Sequence, residues 1–149
     1  MAIRLGPSTT PLVSRLQLPD GLRWEDEFSW TAVTQQTAYT LTGALVVEQG
    51  TRQAGRPLTL AGGRRFAWMG RADVATVQAL FDSPPDDIRL TLHDDREFQV
   101  IPDGAGGALE VEPLPVVSAG GQESGYADPP DTAKYVVNRI KFLIVDEIV

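Results

Sequence analysis

The chain's single histidine, His93, stands beside Asp94 and Asp95, and this triplet is the nearest approach in the sequence to a proton-transfer group. A carboxylate can orient an imidazole as general base, but a nucleophilic triad also needs a serine delivered by the fold. No Gly-x-Ser-x-Gly elbow is present to supply one. His93 falls in the connection of an expected hairpin and reads as an exposed turn residue. Zinc sites draw on several His or Cys ligands, and the chain has no Cys, so no zinc centre, disulfide or thiolate nucleophile is expected. The lack of Cys also fits cytosolic assembly.

Carboxylates are plentiful: Glu25-Asp26-Glu27, Asp86-Asp87, Asp94-Asp95, and Asp128 with Asp131. Glycoside hydrolysis needs two carboxylates held at a set separation, which spacing along the chain does not supply. None of these groups has the central Gly and final Glu of a calcium loop. They read as solvated acidic loops. Gly104-Ala105-Gly106-Gly107 lacks the Lys-Ser or Lys-Thr that completes a phosphate-binding loop. The basic residues are scattered, and Arg64-Arg65 and Arg71 suit salt bridges to a partner's acidic surface. A net charge of −7 argues against gripping a phosphate backbone. No catalytic residue, cofactor or metal is expected.

The surrounding elements are mostly strand-like. A chain of 149 residues fits one domain, and Gly and Pro are frequent enough to punctuate many turns. No stretch approaches the ~20 apolar residues needed to cross a bilayer, and the N-terminus lacks the apolar core of a secretory signal. Residues 1–20 read as an extended arm or edge strand, lying on a neighbouring subunit or capping its own core. Leu22, Trp24, Phe28 and Trp30 share parity, which places them on one strand face. They serve as core anchors, the common fate of such aromatics, or as a sugar platform. Tyr39, Leu41, Gly43, Leu45 and Val47 line one face of a strand over 38–48, with Gly43 marking a bulge or bend. After the connection GTRQAG, Pro57 begins a second strand or lies at an edge.

Phe66 and Trp68 share a face of a further short strand. Val74, Val77, Leu80 and Phe81 form the one helical stripe, with Asp73 as its expected cap and Ser83-Pro84-Pro85 as its stop. Ile88, Leu90 and Leu92 pair in a hairpin with Phe98 and Val100. Another strand follows at 108–112, then a Pro- and Gly-rich loop over 113–132. The last segment is the longest strand-like run, in which Val136, Asn138, Ile140, Phe142 and Ile144 alternate with their neighbours.

The segment TLTGALVVEQGTRQAGRPLTLAGG, followed by Phe66-Ala67-Trp68 and the helix DVATVQALF, resembles small tail-tip proteins of long-tailed bacteriophages. The acidic hairpin and a terminal strand after a Tyr-Ala-Asp-Pro-Pro loop extend the resemblance over most of residues 20–149. It implies an all-β fold with one short helix: a β-sandwich or split barrel like a tail-tube subunit, with an extended loop before the C-terminal strand. It implies a distal tail or baseplate protein of the virion, assembled in the host cytoplasm. Its partners would be further copies in a ring and the neighbouring tube and hub proteins. A tail-tube or tube-terminator subunit is the near alternative. The chain leaves no room for a separate carbohydrate-binding domain. Candidate contact residues, chosen for their expected loop or edge positions, are Arg56, Pro57, Arg64, Arg65, Tyr126, Pro129 and Pro130. Two other classes compete: a carbohydrate-binding sandwich using Trp24, Trp30 or Trp68, and a small hydrolase using paired carboxylates.

Overall fold

Antiparallel strands dominate the chain, as the short alternating runs predict. The computed structural model describes residues 2–104, 107–114, 116–117, 123–124 and 134–148. The elements in chain order are β1 (Arg4–Pro7), β2 (Leu16–Gln17), β3 (Arg23–Trp24), β4 (Val33–Tyr39), β5 (Leu45–Thr51), β6 (Arg56–Ala61), β7 (Trp68–Gly70) and α1 (Arg71–Asp82). There follow β8 (Ile88–Thr91), β9 (Glu97–Pro102), β10 (Leu109–Pro113), β11 (Val116–Val117), β12 (Glu123–Ser124) and β13 (Lys134–Ile148).

Nine of these strands form one sheet, with the path β2-β1-β8-β9-β13-β6-β3 and with β7 and β10 also paired to β13. β13 is its spine. Along one side it bonds β7 through Lys134–Val136 and β6 through Arg139–Ile144; along the other it bonds β10 and β9. The ladder shifts register at Glu110/Val111 and again at Ile144/Asp146. Each shift leaves one residue of β13 over, Asn138 and then Val145, and a bulge of this kind bends and twists the strand. The first bulge changes which face looks inward. Val137 belongs to the core before it, and Ile140, Phe142 and Ile144 after it, while Asn138 is exposed. Strict alternation through 136–144, expected from the sequence, therefore fails at Asn138.

The sheet curls so that its end strand β3 closes on the β8–β9 hairpin. Trp24 on β3 meets Phe98 on β9 edge to face at 5.6 Å, and His93 Nε2 lies 3.0 Å from the Leu22 carbonyl. Leu5, Leu22, Leu58, Leu60, Leu90, Val100 and Phe142 fill the enclosed core. The helix covers one side through fully buried Val77, with Phe81 edge-on to Phe142 at 5.6 Å. It starts two residues earlier than the expected cap at Asp73. Gly70 is the N-cap, no side chain caps the helix, and Asp73 sits in the first turn, where its charge complements the helix dipole. The stop before Pro84 is as predicted.

Of the two expectations for residues 1–20, capping of the chain's own core is the one observed: β1 pairs with both β2 and β8, and Ile3, Leu5 and Leu18 are buried. Other expectations are corrected. The Leu22–Trp30 run is a strand only at Arg23–Trp24; its acidic stretch turns the chain, and Phe28 is 91% exposed. Phe66 lies in a turn before β7, where Ala67 and Met69 face inward instead. The long loop begins later than 113, and within it β11 pairs with β12.

Gly62 marks a close approach of backbone to core. A Cβ there would lie 2.4 Å from Ala67 Cβ and 2.5 Å from the Val137 carbonyl oxygen. Gly62→Ala is expected to cost about 1–3 kcal/mol by overpacking. Gly104→Ala, with nothing within 4 Å of the new atom, should change stability by less than about 1 kcal/mol. Urea denaturation of the two variants checks this.

Candidate functional site

Besides the short β11–β12 pair, one longer pair of strands stands outside the main sheet among the described residues. β4 and β5 pair only with each other, from Val33↔Thr51 to Tyr39↔Leu45, and form a two-stranded ribbon. Every residue from 35 to 55 is exposed. The sequence predicts a single strand over 38–48; the chain instead reverses in its middle. Thr40 and Ala44 close the turn backbone to backbone at 2.8 Å, the Ala44 N–H also donates to Thr40 Oγ1 at 3.1 Å, and Gly43 takes φ +84°. That backbone region is open to Gly at no steric cost. The alternation is real on either side of the reversal. Val33, Tyr39, Leu45 and Val47 share one ribbon face, and Leu41 crowns the tip fully exposed.

The base of the ribbon is held firmly. Glu25 N–H donates to the Thr59 carbonyl at 2.9 Å, and the Asp26 carboxylate accepts both the Thr59 N–H and its hydroxyl, each at 2.9 Å. Arg56 Nη2 donates to the Glu27 carbonyl, and its guanidinium lies 4.6 Å from the Trp24 ring centre. Arg96 also stands against that ring, at 5.4 Å, and reaches Glu27 at 2.9 Å and Asp94 at 2.7 Å. Cation–π contacts of this kind strengthen as the pair leaves water. Arg52 lies 5.8 Å from the Trp30 ring, and Gly55 N–H returns the chain to β13 by donating to the Ile144 carbonyl. The acidic run 25–27 thus fastens the ribbon's root to β6 and to the β8–β9 turn.

The carboxylates are engaged in the same structural work elsewhere. Glu25 faces Arg139 at 3.5 Å, and Asp87 is bidentate with Arg89 at 2.6 and 2.7 Å. Among the described residues no group of three His, Asp or Glu side chains is placed to hold a metal ion. His93 is an exposed turn residue, as expected. Among the described residues no helix is long and apolar enough to cross a membrane.

The described candidate contact residues fall at the two ends of β6. Arg56 and Pro57 open β6, while Arg64 and Arg65 lie in the turn beyond its far end. Arg56 is turned inward on Trp24, and Pro57, half-buried, sits opposite Leu143 on a strand whose other side lacks a ladder partner at that point. A proline, having no N–H to leave unpaired, suits that edge. Arg64 grips Glu112 at 3.1 and 3.5 Å, and Arg65 is exposed. Tyr126, Pro129 and Pro130 lie outside the described residues. Of the aromatic platform, Trp24 is half-buried among arginines, and Trp68 is half-exposed with its Nε1 donating to the Arg64 carbonyl at 2.6 Å. Sequence reasoning missed the ribbon as a separate body. Its signal was present in residues 33–51, where apolar alternation accompanies a single charge, Glu48.

No protein-family model, curated protein or solved structure matches the chain significantly.

The clamp gives a pH dependence with a definite sign. Burial pushes the Asp94 carboxyl up, but the backbone N–H and guanidinium of Arg96 outweigh it and hold the group below its usual value of 3.8. The Asp87 carboxyl is likewise lowered, chiefly by its hydrogen bonds from Arg89. A carboxyl with a folded-state pKa below the unfolded one stabilises the fold fully above the unfolded value, and loses that effect as pH falls through the folded one. Asp94→Asn should therefore flatten the loss of stability below about pH 4 and leave the slope near neutrality unchanged. Denaturant titrations across the acid range read this directly.

Proposed function

We propose that this chain is a structural subunit of a long-tailed bacteriophage tail, working in a ring at the distal end that joins the tail tube to the hub and fibres. The observation that carries the assembly part of this reading is the ribbon of β4 and β5. An isolated two-stranded ribbon is marginal in water and needs a third strand or a packed face for lasting stability. This one offers an uncovered apolar face and two strands without outer neighbours. Exposed edges of that kind invite pairing with another chain. Its place in a phage tail rests on the likeness of strand order, Gly-Arg-Pro strand, short helix and terminal strand to tail-tip proteins.

Charge favours other copies as the ribbon's partners. A chain of net charge −7 repels its own copies over most of its surface, but the ribbon carries only Glu48. Two copies approach with least repulsion there. The mechanism is docking and sealing, with the clamped root fixing the direction in which the ribbon projects. No chemical step is assigned.

Light scattering on the purified protein should give a discrete multiple of 16.2 kDa. Leu45→Lys with Val47→Lys should reduce it to a monomer that keeps the wild-type circular dichroism spectrum, because both side chains are exposed. A wild-type chain that stays monomeric at high concentration, and is absent from tail tips by electron microscopy, would overturn the proposal.

A further inference from the structure

A closed ring requires two different patches on each subunit, one presented and one accepting. The ribbon tip supplies the first, with Tyr39 77% exposed and Leu41 fully so. The same chain carries a surface that matches it. Between α1 and the segment linking β1 to β2 runs an open groove of about 510 Å³. Pro7, Leu16, Ala79, Leu80 and Pro85 are among its walls, and its one charged lining group is Arg15. That charge is already answered: the guanidinium reaches Glu97 at 2.9 Å and the Thr10 carbonyl at 3.0 Å. The groove is therefore apolar and electrically quiet, as the tip is. Its volume is in the range of sites that enclose small organic ligands, about 300–1,000 Å³, which accommodates a few side chains.

We infer that the ribbon tip of one copy seats in the α1–β2 groove of the next. This rests on the assembly reading above and names the surface that receives the ribbon. The two patches are different surfaces of one copy: the ribbon follows β3, the groove borders β1 and β2, and no ribbon residue lines it. Contact between unlike patches is heterologous, the kind that propagates around a ring. The other apolar hollow, about 170 Å³ beside Trp24, is a poorer receiver, since Arg23, Glu27, Asp94 and Arg96 all border it. Placing an apolar tip there would strip the remaining water from Arg96, Glu27 and Asp94, whose paired side chains are still 38, 24 and 53% exposed.

The absence of cysteine makes the test clean. Leu41→Cys and Ala79→Cys are both exposed changes, prepared in separate chains of which one is tagged, then mixed and mildly oxidised. The mixed disulfide is expected to exceed both self-linked products, and a chain carrying both changes should give a ladder ending at the mass found by light scattering. Ala79→Arg should abolish association. Predominant Leu41→Cys self-linking, or no link in a sample that light scattering shows to be oligomeric, would overturn the groove as receiver and leave the assembly reading standing. A sample monomeric throughout overturns both.

Discussion

The fold depends on one strand finding partners along both of its edges. β13 bonds β6 and β7 on one side and β9 and β10 on the other, so four strands distant in sequence are brought into register by a single segment near the C-terminus. A straight strand of fifteen residues would give a flat sheet too open to enclose a core. The bulges at Asn138 and Val145 bend it, and the bend brings Trp24 against Phe98. The buried aliphatics owe their enclosure to those surplus residues as much as to hydrophobicity. Much of the ladder is also non-local: β6 waits on a strand some eighty residues later. Pairing of that kind is entropically slow to form.

The ribbon's root is built from the charges that the sequence offered as chemistry. Glu25, Asp26 and Glu27 do not converge on a reacting atom. They are divided among Arg139, Thr59 and Arg96, three partners on three elements. Half-exposed ion pairs contribute little singly. Here they act with the hydrogen bonds from Thr59 and with a tryptophan flanked by two guanidiniums. A segment with one fully exposed phenylalanine is thereby held to a definite course at the point where it leaves the sheet.

Periodicity made the fold class legible. The β8–β9 hairpin, the helix stripe, the stop at Ser83 and the long last strand all follow from spacing and breakers, because in each the local preference and the tertiary environment agree. The failures share a cause. Alternation tells which residues share a face but not whether the chain reverses between them, so Tyr39 through Val47 read as one strand when Gly43 turns it. Nor does it tell which strand is a neighbour: the runs flanking GTRQAG look like a hairpin, yet β6 pairs with β13 and β3. Alternation groups Asn138 with Ile140 and Phe142, and the sequence does not show the break there because a bulge is a property of two strands together. The contact residues follow from expected loop or edge position, and position along the chain does not reveal that Arg56 is occupied by Trp24 and Glu27. The ribbon was written in composition, as apolar alternation with almost no charge, but its exposure could be learned only after the core had been filled without it.

That exposure has a thermodynamic meaning. The core cluster is complete without any ribbon residue, so the body does not need the ribbon in order to fold. The ribbon, conversely, gains little by remaining in water: its backbone bonds satisfy one edge of each strand, and Tyr39, Leu41, Leu45, Val46 and Val47 keep much of their surface wet. Apolar surface left uncovered by folding is surface whose removal from water, at roughly 25 cal/mol per Å², is still available to association. On the proposed assembly reading, folding and association are separable in this chain: a substitution in the ribbon would act on association, whereas one at Phe142 or Gly62 acts on folding. The clamp at Trp24 marks the boundary between the enclosed core and the exposed ribbon.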